Sequence, residues 1–99
     1  MTWPPFHPEA REEFDSTVDE LGEVAKALGR RFVRRTSDVI SILRRFPDSG
    51  SPLGRRARRF SLHPFKYDLV YVPIEGDIFV IAFAHHRRRP GYWRTRLRK

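Results

Sequence analysis

The chain has no cysteine, and only three of its twenty basic residues are lysines: Lys26, Lys66 and Lys99. Without cysteine there is no disulfide framework and no thiolate metal centre, which fits a reducing compartment. The histidines His7, His63, His85 and His86 show no ligand spacing, so no metal and no other cofactor is expected. Long apolar runs are missing too. The longest, Ile78 to Ala84, falls far short of the ~20 residues that cross a bilayer, so no membrane partner is expected. The opening Met1-Thr2-Trp3-Pro4-Pro5 lacks the basic-then-apolar order of a secretory signal, which makes a cytoplasmic location the expectation. There is no glycine-rich phosphate loop and no serine elbow, which removes the classical NTPase and serine hydrolase readings.

What the chain does have is charge, unevenly placed. Residues 1–54 carry eight Lys/Arg and nine Asp/Glu, a net of −1; residues 55–99 carry twelve and three, a net of +9. Their sum is the overall +8. Segregation of this kind builds a positive field on one part of a molecule and favours a polyanion or an acidic protein partner. Apolar residues at 39% and aromatic residues at 13% suffice for one packed core, so residues 1–99 read as a single domain.

The hydrophobic period divides the chain into helices and then strands. Phe14, Val18, Leu21, Ala25 and Leu28 recur at helical spacing after Pro8 and Glu9, predicting a first helix over about 8–28 that Gly29 ends. Phe32, Thr36, Val39, Leu43 and Phe46 predict a second over about 30–46, stopped by Pro47. So short a connection reads as an antiparallel helical hairpin, with Leu21, Leu28, Phe32, Leu43 and Phe46 largely buried. Beyond the loop Asp48-Ser49-Gly50-Ser51-Pro52 the period becomes two. Strands are expected over about 56–62, 66–73 and 78–85, the last apolar on both faces and therefore central. A short strand over 2–6 would be confined to an edge by Pro4-Pro5. The fold class is thus α+β: a two-helix hairpin on a small twisted, mainly antiparallel sheet of three to four strands, followed by a basic tail over 86–99.

The densest chemistry follows the last strand. His85 to Arg96 contains two imidazoles, five guanidiniums and two aromatic rings. Imidazole moves protons near neutral pH, guanidinium grips phosphate in a fork, and flat rings stack on bases. Metal-free RNA cleavage needs a base, an acid and cations around phosphorus. His85 and His86 are candidate bases or acids, Arg59, Arg87 and Arg88 could hold the phosphate, and Tyr92 or Trp93 could stack on a base. Adjacent strand-end residues face opposite ways, so at most one of His85 and His86 would serve such a site. Arg56, Arg58, Arg59, His85, Arg87, Arg88, Arg89 and Trp93 are the candidates for binding a nucleic acid or other target.

The order of these pieces resembles the RelE/ParE superfamily of type II toxin–antitoxin toxins, and its ParE-like branch in particular, often called plasmid stabilisation proteins. The matching segments are Phe6-His7-Pro8-Glu9-Ala10, Phe46-Pro47 with Gly50, Arg59-Phe60, Tyr67-Asp68-Leu69-Val70-Tyr71, Gly76-Asp77 and His85 through Trp93. The resemblance implies growth arrest, and neutralisation by a cognate antitoxin whose acidic segment wraps the domain through a helix in a groove or an added strand. It leaves two targets open. RelE-like toxins cut mRNA on the ribosome without a metal; ParE-like toxins poison DNA gyrase without evident catalysis. Arg59, Arg87 and Tyr92 occupy positions similar to the functional residues of the RelE-like pattern, with Trp93 an alternative to Tyr92 in register. With His86 as acid or base they would be the catalytic group of a ribonuclease. RelE-like enzymes tend to place lysines on the strand face, and only Lys66 lies near.

Overall fold

The computed structural model describes residues 2–98. Met1 and Lys99, the ends of the expected domain and of its basic tail, lie outside the described residues. Helix α1 spans Pro8–Val24, helix α2 Lys26–Arg45, and strands β1 to β4 span Ser51–Leu53, Ala57–Ser61, Tyr67–Ile74 and Asp77–His85. The strands form one antiparallel sheet in the order β1-β2-β3-β4.

The helix starts where Pro8, needing no amide partner, follows a cap: His7 Nδ1 accepts from the Glu9 N–H at 3.1 Å. The hairpin turns earlier than the residue pattern predicts. Ala25 is extended (φ −160°, ψ 135°) and ends α1, so Gly29 lies in the first turns of α2 instead of stopping α1. Its role is close approach: a Cβ there would stand 3.0 Å from the Val18 carbonyl oxygen and 3.4 Å from the Gly22 Cα. Phe32 and Leu43 are fully buried as expected, but Leu21 and Leu28 are half-buried and Phe46 is 59% exposed. Phe46 caps α2 outside helical geometry, which turns its ring away from the sheet and beneath the Arg45 guanidinium at 5.6 Å.

Two clusters sandwich the sheet. On the helix side Phe14, Phe32, Ile40 and Leu43 meet Leu69, Tyr71, Val80 and Phe83. On the other side Ala57, Val70, Val72, Ile81 and Ala82 are roofed by Trp93 of the C-terminal tail. Ile81 is the extra residue of a bulge between Val70↔Ala82 and Tyr71↔Val80, so Ile81 and Ala82 both pack under the tail. Tyr71 ties the loop to the core. Its hydroxyl donates to the Pro47 carbonyl at 2.6 Å and accepts from the Gly50 N–H at 3.0 Å.

Strand β1 falls where the residue pattern reads a loop; it has three residues, one of them Pro52. The expected N-terminal edge strand reduces to a parallel bridge of Phe6 to Val80, closed by His7 N to Val80 O at 2.8 Å and Val80 N to Pro5 O at 3.0 Å. In the order β1-β2-β3-β4 the last strand therefore lies at the sheet's edge and not at its centre. It is apolar on both faces because the helices cover one and the C-terminal tail the other, and the bridge covers its free edge only around Val80. Arg44, near the end of α2, grips the β3–β4 turn by a double contact to Asp77 at 2.9 and 3.2 Å. Because that guanidinium hydrogen-bonds it, the Asp77 carboxyl is held below its ordinary pKa.

Candidate target-binding surface

On the sheet face away from the helices, the strands and the tail enclose a groove of about 590 Å³. Arg59 and Ser61 enter it from β2, Asp68 from β3, and His86, Arg88, Arg89 and Arg94 from the tail. Alternation along β2 sends Arg59 to this side while Phe60 packs toward the helices. The arginines outnumber the single carboxylate of Asp68, so the groove presents a positive field to an anionic surface.

Both histidines border the groove, but they are held differently. His86 Nε2 lies 3.2 Å from Asp68 Oδ1, on the groove side. His85 stands edge-on to Tyr67 at 4.9 Å, and its Nδ1 accepts from the Arg87 N–H at 3.0 Å. Arg87 itself is exposed and is not among the groove's lining residues. Arg59 and Arg87, which the residue pattern pairs around one phosphate, are therefore not brought together in this cavity.

Several candidate residues are engaged in holding the domain together. Arg58 donates to the Gly50 carbonyl at 2.7 Å and the Asp48 carbonyl at 3.2 Å, bracing the loop before β1. Arg56 donates to the Leu97 carbonyl at 3.0 Å, fastening the tail. Trp93, expected to offer a ring for stacking, is only 4% exposed and roofs the second cluster. Arg88 covers the Tyr92 ring at 3.7 Å.

Tyr92 is held by one of the seven carboxylates of α1. Glu13 of α1 accepts from the Tyr92 hydroxyl at 2.7 Å, from Arg96 Nη1 and Nη2 at 2.9 Å each, and from the Phe83 N–H at 3.0 Å. Arg96 adds the bulged Ile81 carbonyl at 3.0 Å and Glu9 at 3.2 Å. Burial alone would raise the Glu13 pKa, but the bonds from Arg96, Tyr92 and Phe83 outweigh it and hold the carboxyl below its ordinary range. Burial and the adjacent Glu13 carboxylate push the Tyr92 phenol well above its ordinary value. As placed, Tyr92 keeps its proton and points it at Glu13. A signal for Glu13 was present: it lies three residues after Ala10 and four before Thr17, both on the buried stripe.

Gly91 makes the turn that delivers Tyr92. Its φ is +77°, and a Cβ there would collide with the Arg94 side chain. Among the described residues no group of three His, Asp or Glu side chains is arranged to hold a metal ion, and no helix is long and apolar enough to cross a membrane.

No individual curated protein matches the chain. A family model described as the ParE toxin of the type II toxin-antitoxin system parDE matches residues 5–90, from the N-terminal bridge to the start of the tail. The match ends before Tyr92, Trp93 and Arg96, so the tail half of the Glu13 clamp lies outside it. With most of the chain covered and the α+β architecture in place, the protein belongs to the ParE toxin family, within the RelE/ParE superfamily of type II toxin–antitoxin toxins.

Proposed function

We propose that this toxin arrests growth by binding DNA gyrase, as a ParE-like inhibitor, and that a cognate antitoxin encoded beside it neutralises it in the cytoplasm. The observation that carries the choice of target is the state of Tyr92. A ribonuclease of the RelE-like kind would use the C-terminal tyrosine at the phosphate together with Arg59 and Arg87. Here the Tyr92 hydroxyl is spent on Glu13 and Arg87 lies outside the groove that Arg59 lines. What remains accessible is a set of cations, Arg59, Arg87, Arg89 and Arg94, which suits a binding inhibitor that meets an anionic surface.

The alternative is ribosome-dependent mRNA cleavage. It draws support from the His86–Asp68 pair beside Arg59, since a carboxylate can orient an imidazole for proton transfer. Induction of the toxin in cells separates the two. The gyrase reading expects a DNA-damage response, inhibited supercoiling by purified toxin, and no new 5′ ends in mRNA. Cleaved mRNA with supercoiling untouched would overturn it in favour of the ribonuclease.

A further inference from the structure

Negative charge is scarce in the groove on the tail side of the sheet. Among the described residues that line it, Arg59 of β2 and Arg88, Arg89 and Arg94 of the tail face a single carboxylate, Asp68 of β3. That carboxylate is engaged: His86 Nε2 lies 3.2 Å from Asp68 Oδ1. The His86 N–H donates to the Lys66 carbonyl at 2.9 Å, which fixes the backbone from which the ring reaches Asp68. His85 borders the same groove, but its ring stands against Tyr67 and its Nδ1 accepts from the Arg87 N–H. The His86 side chain is 47% exposed and that of Asp68 20%, so water reaches the ring while its partner is largely withdrawn from solvent.

An ionised carboxylate has only acceptors, so Nε2 is the nitrogen that carries the proton, toward Asp68. In a neutral ring Nδ1 is then an acceptor, as every phosphate oxygen is. An anion arriving in the groove in that state meets one carboxylate and one further acceptor. Protonation of the ring reverses both. The imidazolium offsets the Asp68 charge, and Nδ1 becomes a donor. Imidazole ordinarily makes this change between about pH 5 and 8.

The kind of anion follows from what the groove lacks. Trp93 is buried and Arg88 covers the Tyr92 ring, so no open aromatic face awaits an unpaired base. The exposed large apolar side chains Trp3, Val24, Ile42, Phe46 and Ile74 all lie outside its lining, so a protein partner finds no such anchor there. A nucleic-acid duplex needs neither. It presents a stiff row of phosphates, one charge per about 1.7 Å of axis, to the guanidiniums.

We infer that the His86–Asp68 pair makes the binding of duplex DNA phosphates in this groove proton-dependent, weak with the imidazole neutral and stronger with it charged. The inference rests on the reading of this face as the surface that meets an anion, and it makes that anion the DNA that gyrase holds.

The test is titration of a short fluorescent DNA duplex with the full-length toxin, followed by anisotropy at equal ionic strength at about pH 5.5 and about pH 8, the two ends of the imidazole range. Binding should be at least about fivefold tighter at the lower pH, the low end of coupling between linked sites. His86→Gln should abolish that preference, and Asp68→Asn should bind more tightly than the parent at the higher pH. His85→Gln, whatever it does to affinity, should keep the preference. Linkage supplies a readout that needs no variant: saturating duplex should move the titration of the His86 ring, followed by NMR, to higher pH. Equal affinity at both pH values, a preference that survives His86→Gln, or an unmoved imidazole titration overturns the inference while the duplex still binds, and leaves the reading of the surface standing. Absence of duplex binding at either pH removes both. A single-stranded oligothymidine or a polyglutamate of equal charge that binds as tightly as the duplex also overturns it.

Discussion

Glu13→Gln isolates the clamp between α1 and the tail. The carboxylate meets four donors in two pairs: Oε1 takes the Phe83 N–H and Arg96 Nη1, and Oε2 takes the Tyr92 hydroxyl and Arg96 Nη2. Glutamine keeps the volume but offers one acceptor oxygen, so whichever way the amide turns, its NH₂ confronts two of those donors. A hydrogen bond to a charged group contributes ~1.5–3 kcal/mol and an orphaned buried donor costs ~1–3 kcal/mol. Glu9 remains 3.2 Å from Arg96 and softens the loss, although Glu9 is half-exposed and its contribution is screened. A destabilisation of roughly 2–3 kcal/mol follows, which for a domain of this size lowers Tm by roughly 8–24 °C. The acid limb should change as well. With its folded pKa below the ordinary 4.5, Glu13 stabilises the parent fully above that value and progressively less as pH falls through the lower folded value. The glutamine variant should lack this component of acid destabilisation. Urea melts of both proteins between neutral pH and pH 3 measure the difference. A variant within about 0.5 kcal/mol of the parent at neutral pH, a change typical of unconstrained surface sites, would refute the clamp.

Leu43→Ala opens a cavity between α2 and the sheet at a fully buried site, and equilibrium denaturation should show a loss of ~2–5 kcal/mol. Tyr71→Phe leaves the Gly50 N–H and the Pro47 carbonyl without the hydroxyl they share; a loss of ~1–3 kcal/mol is expected, with faster hydrogen exchange at Gly50. Gly29→Val forces the two helices apart at the Val18 carbonyl and should cost ~1–3 kcal/mol by thermal melting, whereas Gly22, with open space at its Cβ position, should tolerate alanine.

Periodicity carried most of the architecture. The switch from helical to alternating spacing after Gly50 places two helices and three strands within a few residues of their observed ends, because burial on one face is a local property of side-chain order. The misplaced hairpin turn has a clear cause. Alanine is the best helix former, so nothing local marks Ala25 as the break, while Gly29 imitates a C-terminal stop although its use is tertiary, at the helix crossing. The three residues of β1 escaped because a strand that short, with a proline, has no period to read. At the groove, the sequence order identifies the arginines but not which are free. Arg56 and Arg58 are bound to backbone carbonyls, and that depends on where the tail and loop fold. Glu13 and Arg96 were invisible as a pair because 83 residues separate them, and a carboxylate among six others on one helix reads as solvation.

The division of labour within the tail bears on how this toxin would meet its target. Between His85 and Arg96 the chain spends Tyr92, Trp93 and Arg96 on attachment: one to Glu13, one into the second core, and one to Glu13, Glu9 and the Ile81 carbonyl. Arg56 fastens the far end at Leu97. These ties flank Arg94, and β4 holds the start of the segment at His85, so Arg87, Arg89 and Arg94 are presented from a fixed scaffold instead of a loose basic extension. A free tail with the same charge would surrender conformational entropy for each side chain and backbone unit ordered on binding. Anchoring moves that cost into folding, where the apolar contacts of Trp93 and the charge pairing of Glu13 offset it. The clamp is thus structural in its contacts and functional in its consequence. It determines which cations the surface offers and in what arrangement, without itself touching anything outside the domain.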